Sequence, residues 1–233
     1  MIFIRSIIYT VCLFVSFFLM APIALLPYPF MTHQRRWGIA IAWGELNIFL
    51  VKKICGLSCT VRGLENVPDE RCVIFAKHSS VYEIFVLLKY FSPSSWVGKY
   101  ELMYVPIFRG VFKKFKLIPV KRGKGHAEVE RVRNMGQERL AGGNWIIVFP
   151  EGTRMKYNKT GRYGLSGALL AKETRSVVLP ISHNSGKYWK RRGLLKHPGK
   201  IEFYIGRPIN TENLSIDEIN DVSKEWIQSK VVS

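Results

Sequence analysis

Acidic side chains are scarce in this 233-residue chain: 17 Asp and Glu stand against 35 Lys and Arg, a net charge of +18. A chain so charged is drawn to polyanions, whether nucleic acid, an anionic bilayer or phosphorylated substrates. Nucleic acid is disfavoured, because the basic residues are scattered outside any recognised binding motif and a long apolar N-terminal stretch would go unexplained. Cysteine is also sparse, with only Cys12, Cys55, Cys59 and Cys72. Cys55 and Cys59 have no matching His or Cys pair, and the histidines show no ligand spacing. Neither a zinc site nor a disulfide framework is expected, and the body is read as reduced and cytosol-facing. Internal repeats, long linkers and low-complexity tracts are missing. So is a nucleophile elbow: Gly164-Leu165-Ser166-Gly167-Ala168 lacks the final glycine.

Charge is absent altogether from Ile7 to Leu26. About twenty apolar residues could cross a hydrocarbon core roughly 30 Å thick as a helix. Met20-Ala21-Pro22-Ile23-Ala24 resembles a signal-peptidase site, but the stretch is long for a signal core and a second apolar stretch follows at once. That second stretch runs from Trp37 to Leu50 with Glu45 as its one charge. Pro27, Pro29 and His33-Gln34-Arg35-Arg36 separate the two, and Lys52 and Lys53 close the second. Residues 1–56 therefore read as an apolar two-helix membrane hairpin. Arg5, Arg35-Arg36 and Lys52-Lys53 put positive charge at every turn, which gives no clean inside bias. A hairpin dipping into one leaflet satisfies this pattern better than one that spans the bilayer twice.

Beyond Leu57 short apolar runs alternate with amphipathic segments. Strands are expected at Cys59–Arg62, Cys72–Ala76, Ser95–Val97, Leu117–Val120, Trp145–Phe149, Val177–Ile181 and Ile201–Ile205. Helices are expected at Val81–Tyr90, Val105–Phe115, Ala127–Ala141, Leu165–Glu173 and Ile216–Lys230. Runs such as Trp145-Ile146-Ile147-Val148-Phe149 suit strands covered on both faces. Residues 57–233 thus form an α/β domain, a layered mixed sheet flanked by helices. Gly142-Gly143 ends one helix, and Thr211 or Ser215 caps the last. Gly186–Gly199 reads as a basic loop, either solvated or touching a membrane.

Two clusters carry chemistry. Lys77-His78-Ser79-Ser80-Val81-Tyr82-Glu83 follows the end of a strand, where ligands of open α/β sheets collect. With His78 in the turn and Glu83 in the first helical turn, the side chains can meet. The imidazole then takes a proton while the carboxylate fixes its tautomer. Otherwise His78 merely caps the helix. Phe149-Pro150-Glu151-Gly152-Thr153-Arg154 also follows a buried strand; Gly152 allows a sharp turn, and Arg154 offers a planar fork suited to phosphate.

These clusters resemble the 1-acyl-sn-glycerol-3-phosphate (lysophosphatidic acid) acyltransferase family. Residues 149–154 match its second motif in full; the first departs, with Glu83 where Asp is usual. Gly98-Lys99-Tyr100-Glu101-Leu102, Pro106-Ile107-Phe108 and Leu117-Ile118-Pro119-Val120-Lys121-Arg122 look like its glycerophosphate-binding region, and Val177-Val178-Leu179-Pro180 like its last block. The resemblance implies the glycerolipid acyltransferase fold and acyl transfer from an acyl thioester to the hydroxyl of lysophosphatidate, giving phosphatidate. It implies His78 as general base, Glu83 as its orienting partner, and Lys99, Arg122 and Arg154 as phosphate ligands. Glu151 would position the glycerol part, with Gly152 and Thr153 binding substrate beside it. No metal or other cofactor is implied; acyl carrier protein or coenzyme A would carry the acyl group. The chain would work at the cytoplasmic face of a membrane. Rival readings are transfer to another lysolipid, or a lipid-binding module whose site has degenerated at Glu83.

Overall fold

The computed structural model describes residues 1–27, 30–121 and 125–231; Pro29, expected to help separate the two apolar stretches, and the candidate phosphate ligand Arg122 lie outside them. Two helices, α1 (Ile2–Ala24) and α2 (His33–Cys55), lead the chain. There follow β1 (Leu57–Arg62), β2 (Val73–Ala76), α3 (Tyr82–Tyr90), β3 (Ser94–Lys99), α4 (Pro106–Lys114) and β4 (Ile118–Val120). The second half holds α5 (Gly125–Ala141), β5 (Trp145–Val148), α6 (Leu165–Glu173) and β6 (Val178–His183). After it come a single turn α7 (Ser185–Tyr188), β7 (Gly199–Ile205) and α8 (Ile216–Val231). Each strand and body helix expected from the sequence is present, with ends moved by a few residues. The short helical turns Leu64–Asn66, Tyr100–Tyr104 and α7 were not foreseen.

The strands form one mixed sheet in the order β1-β7-β6-β2-β5-β3-β4. Among the described strands only β6 and β7 pair antiparallel. The central strands are apolar throughout because helices cover both faces. Along β2, Ile74 and Ala76 face the core beneath α2 and α3, while Val73 and Phe75 face the core beneath α5, α6 and α8. The period-2 alternation of a strand divides them this way. Sealing Phe75 from solvent contributes roughly 2–3 kcal/mol. Gly143 ends α5 with φ +79°, and Ser215 rather than Thr211 caps α8, its hydroxyl accepting from Glu218 N–H at 3.2 Å.

The N-terminal helices differ from a free-standing hairpin. The polar segment His33–Arg36 is the first turn of α2, capped by Thr32. Arg36 is buried, and its Nε donates to the carbonyl of Ala24 at 3.0 Å. A cation suits that position, because the last carbonyls of α1 have no helical partners. α2 packs along α3, and Glu45 pairs with Lys89 at 3.0 Å. Among the described residues, α1 alone is long and apolar enough to cross a membrane.

α1 is inside-out. Ile4, Ile8, Val11, Val15, Phe18 and Leu19 point outward and are exposed, whereas Ser6, Tyr9 and Ser16 face the body. Tyr9 donates to Asn47 Oδ1, and Trp43 Nε1 donates to Ser16 Oγ at 3.2 Å. The loop after α7 is not simply solvated: Lys196 is buried, donates to Thr10 Oγ1 and lies over the ring of Trp189. Both ends of α1 are thus fastened, since Leu25 packs on Gly110 of α4 just past its C-terminus.

Candidate active site

Parallel pairing of β2 with β5 sets Phe75 beside Val148, so the segments that follow leave the sheet as neighbours at its carboxyl edge. Met155 N–H donates to His78 O at 2.7 Å, and His78 N–H donates to Glu151 Oε2 at 3.3 Å. The two motifs are thereby one unit.

Glu83 lies in the first turn of α3, where a carboxylate suits the helix N-terminus. Its Oε1 accepts from His78 Nδ1 at 2.8 Å and from the N–H groups of Ser79 and Ser80, each at 3.1 Å. Its Oε2 accepts from Ser80 N–H at 2.9 Å. Burial opposes ionisation of Glu83. The hydrogen bond from His78, the attraction that His183 and His78 exert when protonated, and the Ser80 N–H outweigh it and hold the carboxyl below its ordinary range. Ionised, the carboxylate can only accept, so His78 carries its hydrogen on Nδ1 and keeps a lone pair on Nε2. Nε2 has no partner among the described residues. The ring of Phe149 stacks under the imidazole at 4.0 Å and fixes its plane. This arrangement leaves a ring nitrogen able to accept a proton.

The neighbouring serines have other places. Ser80 Oγ accepts from Tyr82 N–H at 3.3 Å, and Ser79 Oγ is buried without a partner among the described residues.

Glu151 sits differently from its sequence-based expectation. Its Oε1 accepts from Lys77 Nζ at 2.8 Å and from Gly161 N–H at 3.2 Å, and both charged side chains are sealed from solvent. The carboxylate faces into the loop junction and not into the cavity. The backbone then turns at Gly152, with φ +64°, a conformation that a side chain would strain. Thr153 and Arg154 emerge on the cavity wall.

That cavity, about 690 Å³, runs from His78 beneath α1 and α2. Phe17, Met20, Trp37, Trp43, Trp96 and Phe112 line its apolar reach. At the His78 end the lining turns basic, with Lys99, Arg154, Arg191 and Arg192. Arg154 Nε is buried and unpartnered among the described residues, a donor turned to a space that no protein acceptor fills. Sequence reasoning missed Arg191 and Arg192 in the basic loop, Lys77 beneath the site, and His183 and Ser185 at the end of β6. A lysine and a histidine at strand ends were the available signals.

With this geometry in view, the acyltransferase family model matches residues 58–184. A 1-acyl-sn-glycerol-3-phosphate acyltransferase of Pseudomonas aeruginosa is 34% identical over 96% of this chain and 89% of its own length. The Saccharomyces cerevisiae protein of the same name is 28% identical over 76% of this chain and 59% of its own length. The crystal structure of the 1-acyl-sn-glycerophosphate acyltransferase PlsC from Thermotoga maritima superposes with a TM-score of 0.75, covering 97% of this chain and 96% of that one. At 20% identity that likeness concerns the fold.

Proposed function

This chain belongs to the 1-acyl-sn-glycerol-3-phosphate acyltransferase family, and on that premise we propose how its residues divide the reaction. It transfers an acyl group to the free hydroxyl of lysophosphatidate and forms phosphatidate. His78 Nε2 takes the hydroxyl proton as that oxygen attacks the thioester carbonyl. The tetrahedral intermediate expels the thiolate, which recovers the proton from the imidazolium. Glu83 stabilises that imidazolium through Nδ1. The observation that carries this reading is the 2.8 Å contact of His78 with Glu83 at the polar end of an apolar cavity.

Arg154 and Lys99 receive the acceptor phosphate, and Arg122 is assigned to it on the family resemblance alone. Gly152 and Thr153 shape the turn that presents Arg154, and Glu151 holds the junction beneath it. An acyl chain occupies the apolar reach of the cavity. The donor is an acyl thioester of acyl carrier protein or coenzyme A, both anionic and both drawn to the basic rim.

The chain works on a membrane. α1 turns its apolar side chains outward while its polar ones bind the body, so it lies in one leaflet with the body attached along its length. The active site then opens toward the headgroups on the cytoplasmic face, where acyl thioesters are available. The test is transfer of labelled acyl groups to lysophosphatidate by membranes carrying the parent chain or His78→Ala. Labelled phosphatidate from the parent alone supports the reading. Equal transfer by both removes His78 from the reaction, and transfer only to another lysolipid reassigns the acceptor.

A further inference from the structure

Behind Glu83, on the side away from His78, lies a second buried pair. His183 ends β6 and Ser185 begins α7, and both are fully buried. His183 Nε2 lies 2.9 Å from the carbonyl of Lys77, which can only accept, so Nε2 carries a hydrogen. Its Nδ1 lies 2.8 Å from Ser185 Oγ, and Ser185 Oγ lies 3.3 Å from Glu83 Oε2. The ring of Phe203 stacks on His183 at 4.8 Å. Gly186 gives the segment its close seat, since a Cβ there would fall 2.9 Å from Ser79.

Hydrogen counting makes this chain informative. A neutral His183, with its hydrogen on Nε2, offers Nδ1 as an acceptor. The hydroxyl of Ser185 has one hydrogen and two acceptors in reach: Nδ1 of His183 and Oε2 of Glu83. Each donation to His183 withholds a hydrogen bond from Glu83. The charge that Glu83 presents to His78 therefore depends on where one hydroxyl hydrogen points.

We propose that His183 and Ser185 are positioning residues that set, through Glu83, the basicity of His78. Ser185 donates to Glu83 and moderates its hold on the imidazolium of His78. His183 competes for that hydrogen and keeps the moderation partial. The charged and titratable groups facing His183 are Glu83, 3.9 Å away, with His78 and Lys77 beyond it. This inference rests on His78 as the base, and the experiment separates the two.

The measurement is the pH dependence of kcat and KM for purified Ser185→Ala and His183→Leu in lipid-detergent micelles, with lysophosphatidate as acceptor. The acid limb reports deprotonation of His78. Ser185→Ala removes a donor from Glu83, which then holds the imidazolium harder, so the acid limb moves to higher pH. His183→Leu removes the competing acceptor, and with it the donor to the Lys77 carbonyl. Ser185 then serves Glu83 alone, and the acid limb moves to lower pH. At neutral pH, Ser185→Ala lowers kcat about 10-fold, as expected for one hydrogen bond to a charged group, and leaves KM within twofold. A merely structural role lowers active yield without moving either limb. If Ser185→Ala does not fold, Ser185→Cys, with its weak donor, is read for a smaller shift of the same sign. Superimposable profiles, or shifts in the same direction, overturn the proposal. If His78→Ala is as active as the parent, it is the reading of the base that has failed.

Discussion

Lys77 Nζ and Glu151 Oε1 lie 2.8 Å apart with both side chains closed to solvent, joining the two sequence motifs from beneath. Lys77 precedes His78, and Glu151 precedes the turn that presents Arg154. An ion pair at this point fixes the distance between the proposed proton acceptor and the proposed phosphate ligand.

Removing one partner leaves an uncompensated buried charge. Lys77→Met should lower stability by about 3–5 kcal/mol, and the double variant Lys77→Met with Glu151→Gln should recover part of that loss. Denaturant melts of the four chains in micelles measure it. A double variant no more stable than Lys77→Met would mean that the pair is not coupled.

His78→Ala should reduce turnover by roughly 10²–10⁴-fold, the range for a positioned base, with little change in acceptor KM. Steady-state kinetics with a labelled thioester donor provide the check. Loss expressed mainly in KM would make His78 a binding residue.

Arg154→Ala should raise KM for lysophosphatidate about 10-fold or more, because a guanidinium–phosphate contact is charge-assisted. The KM for the thioester donor should stay near the parent value. Should the donor KM rise instead, Arg154 serves the donor.

Acidification should weaken the fold before it titrates ordinary carboxylates. Burial, the main influence, keeps the His183 imidazole below its usual range, partly offset by Glu83. Below about pH 6.5 the unfolded chain therefore binds a proton that the folded chain resists. This contribution is complete above that pH and lost as pH falls through the folded value. Glu83, also held low, adds its own loss under still more acid conditions. Thermal midpoints from pH 8 to 5 should decline, and the first part of the decline should flatten in His183→Gln. An unchanged slope in that variant contradicts the assignment.

Replacing Phe18 and Leu19 by Glu should release the chain from anionic vesicles while sparing its fold, because both side chains point away from the body. Vesicle flotation measures this. Deleting residues 1–56 is a harsher test, since α1 and α2 also wall the cavity. Continued flotation of the double Glu variant would move the anchor to Leu194 and Leu195 in the loop after α7, which are also exposed.

The sheet was legible in the sequence because its buried strands are short apolar runs with turn residues between them, as at Cys72–Ala76 and Trp145–Phe149. The His78–Glu83 contact was legible because both residues belong to one turn and one helix start. Glu151 was misplaced because its partner, Lys77, lies far away in sequence, and no local pattern reveals a buried ion pair. Arg36 read as a hairpin-loop charge, and Lys196 as part of a solvated or membrane-touching loop, for the same reason: one caps α1 and the other seals it to the body. His183 and Ser185 passed unnoticed because their meaning depends on the register of β6 against β2.

One helix carries two different faces. Phe17 and Met20 of α1 line the cavity, and Phe18 and Leu19, their chain neighbours, face outward. If α1 lies in a leaflet and the cavity takes the acyl chain, as proposed, lateral pressure bears directly on the wall around that chain, and bilayer composition becomes an input to acyl selection.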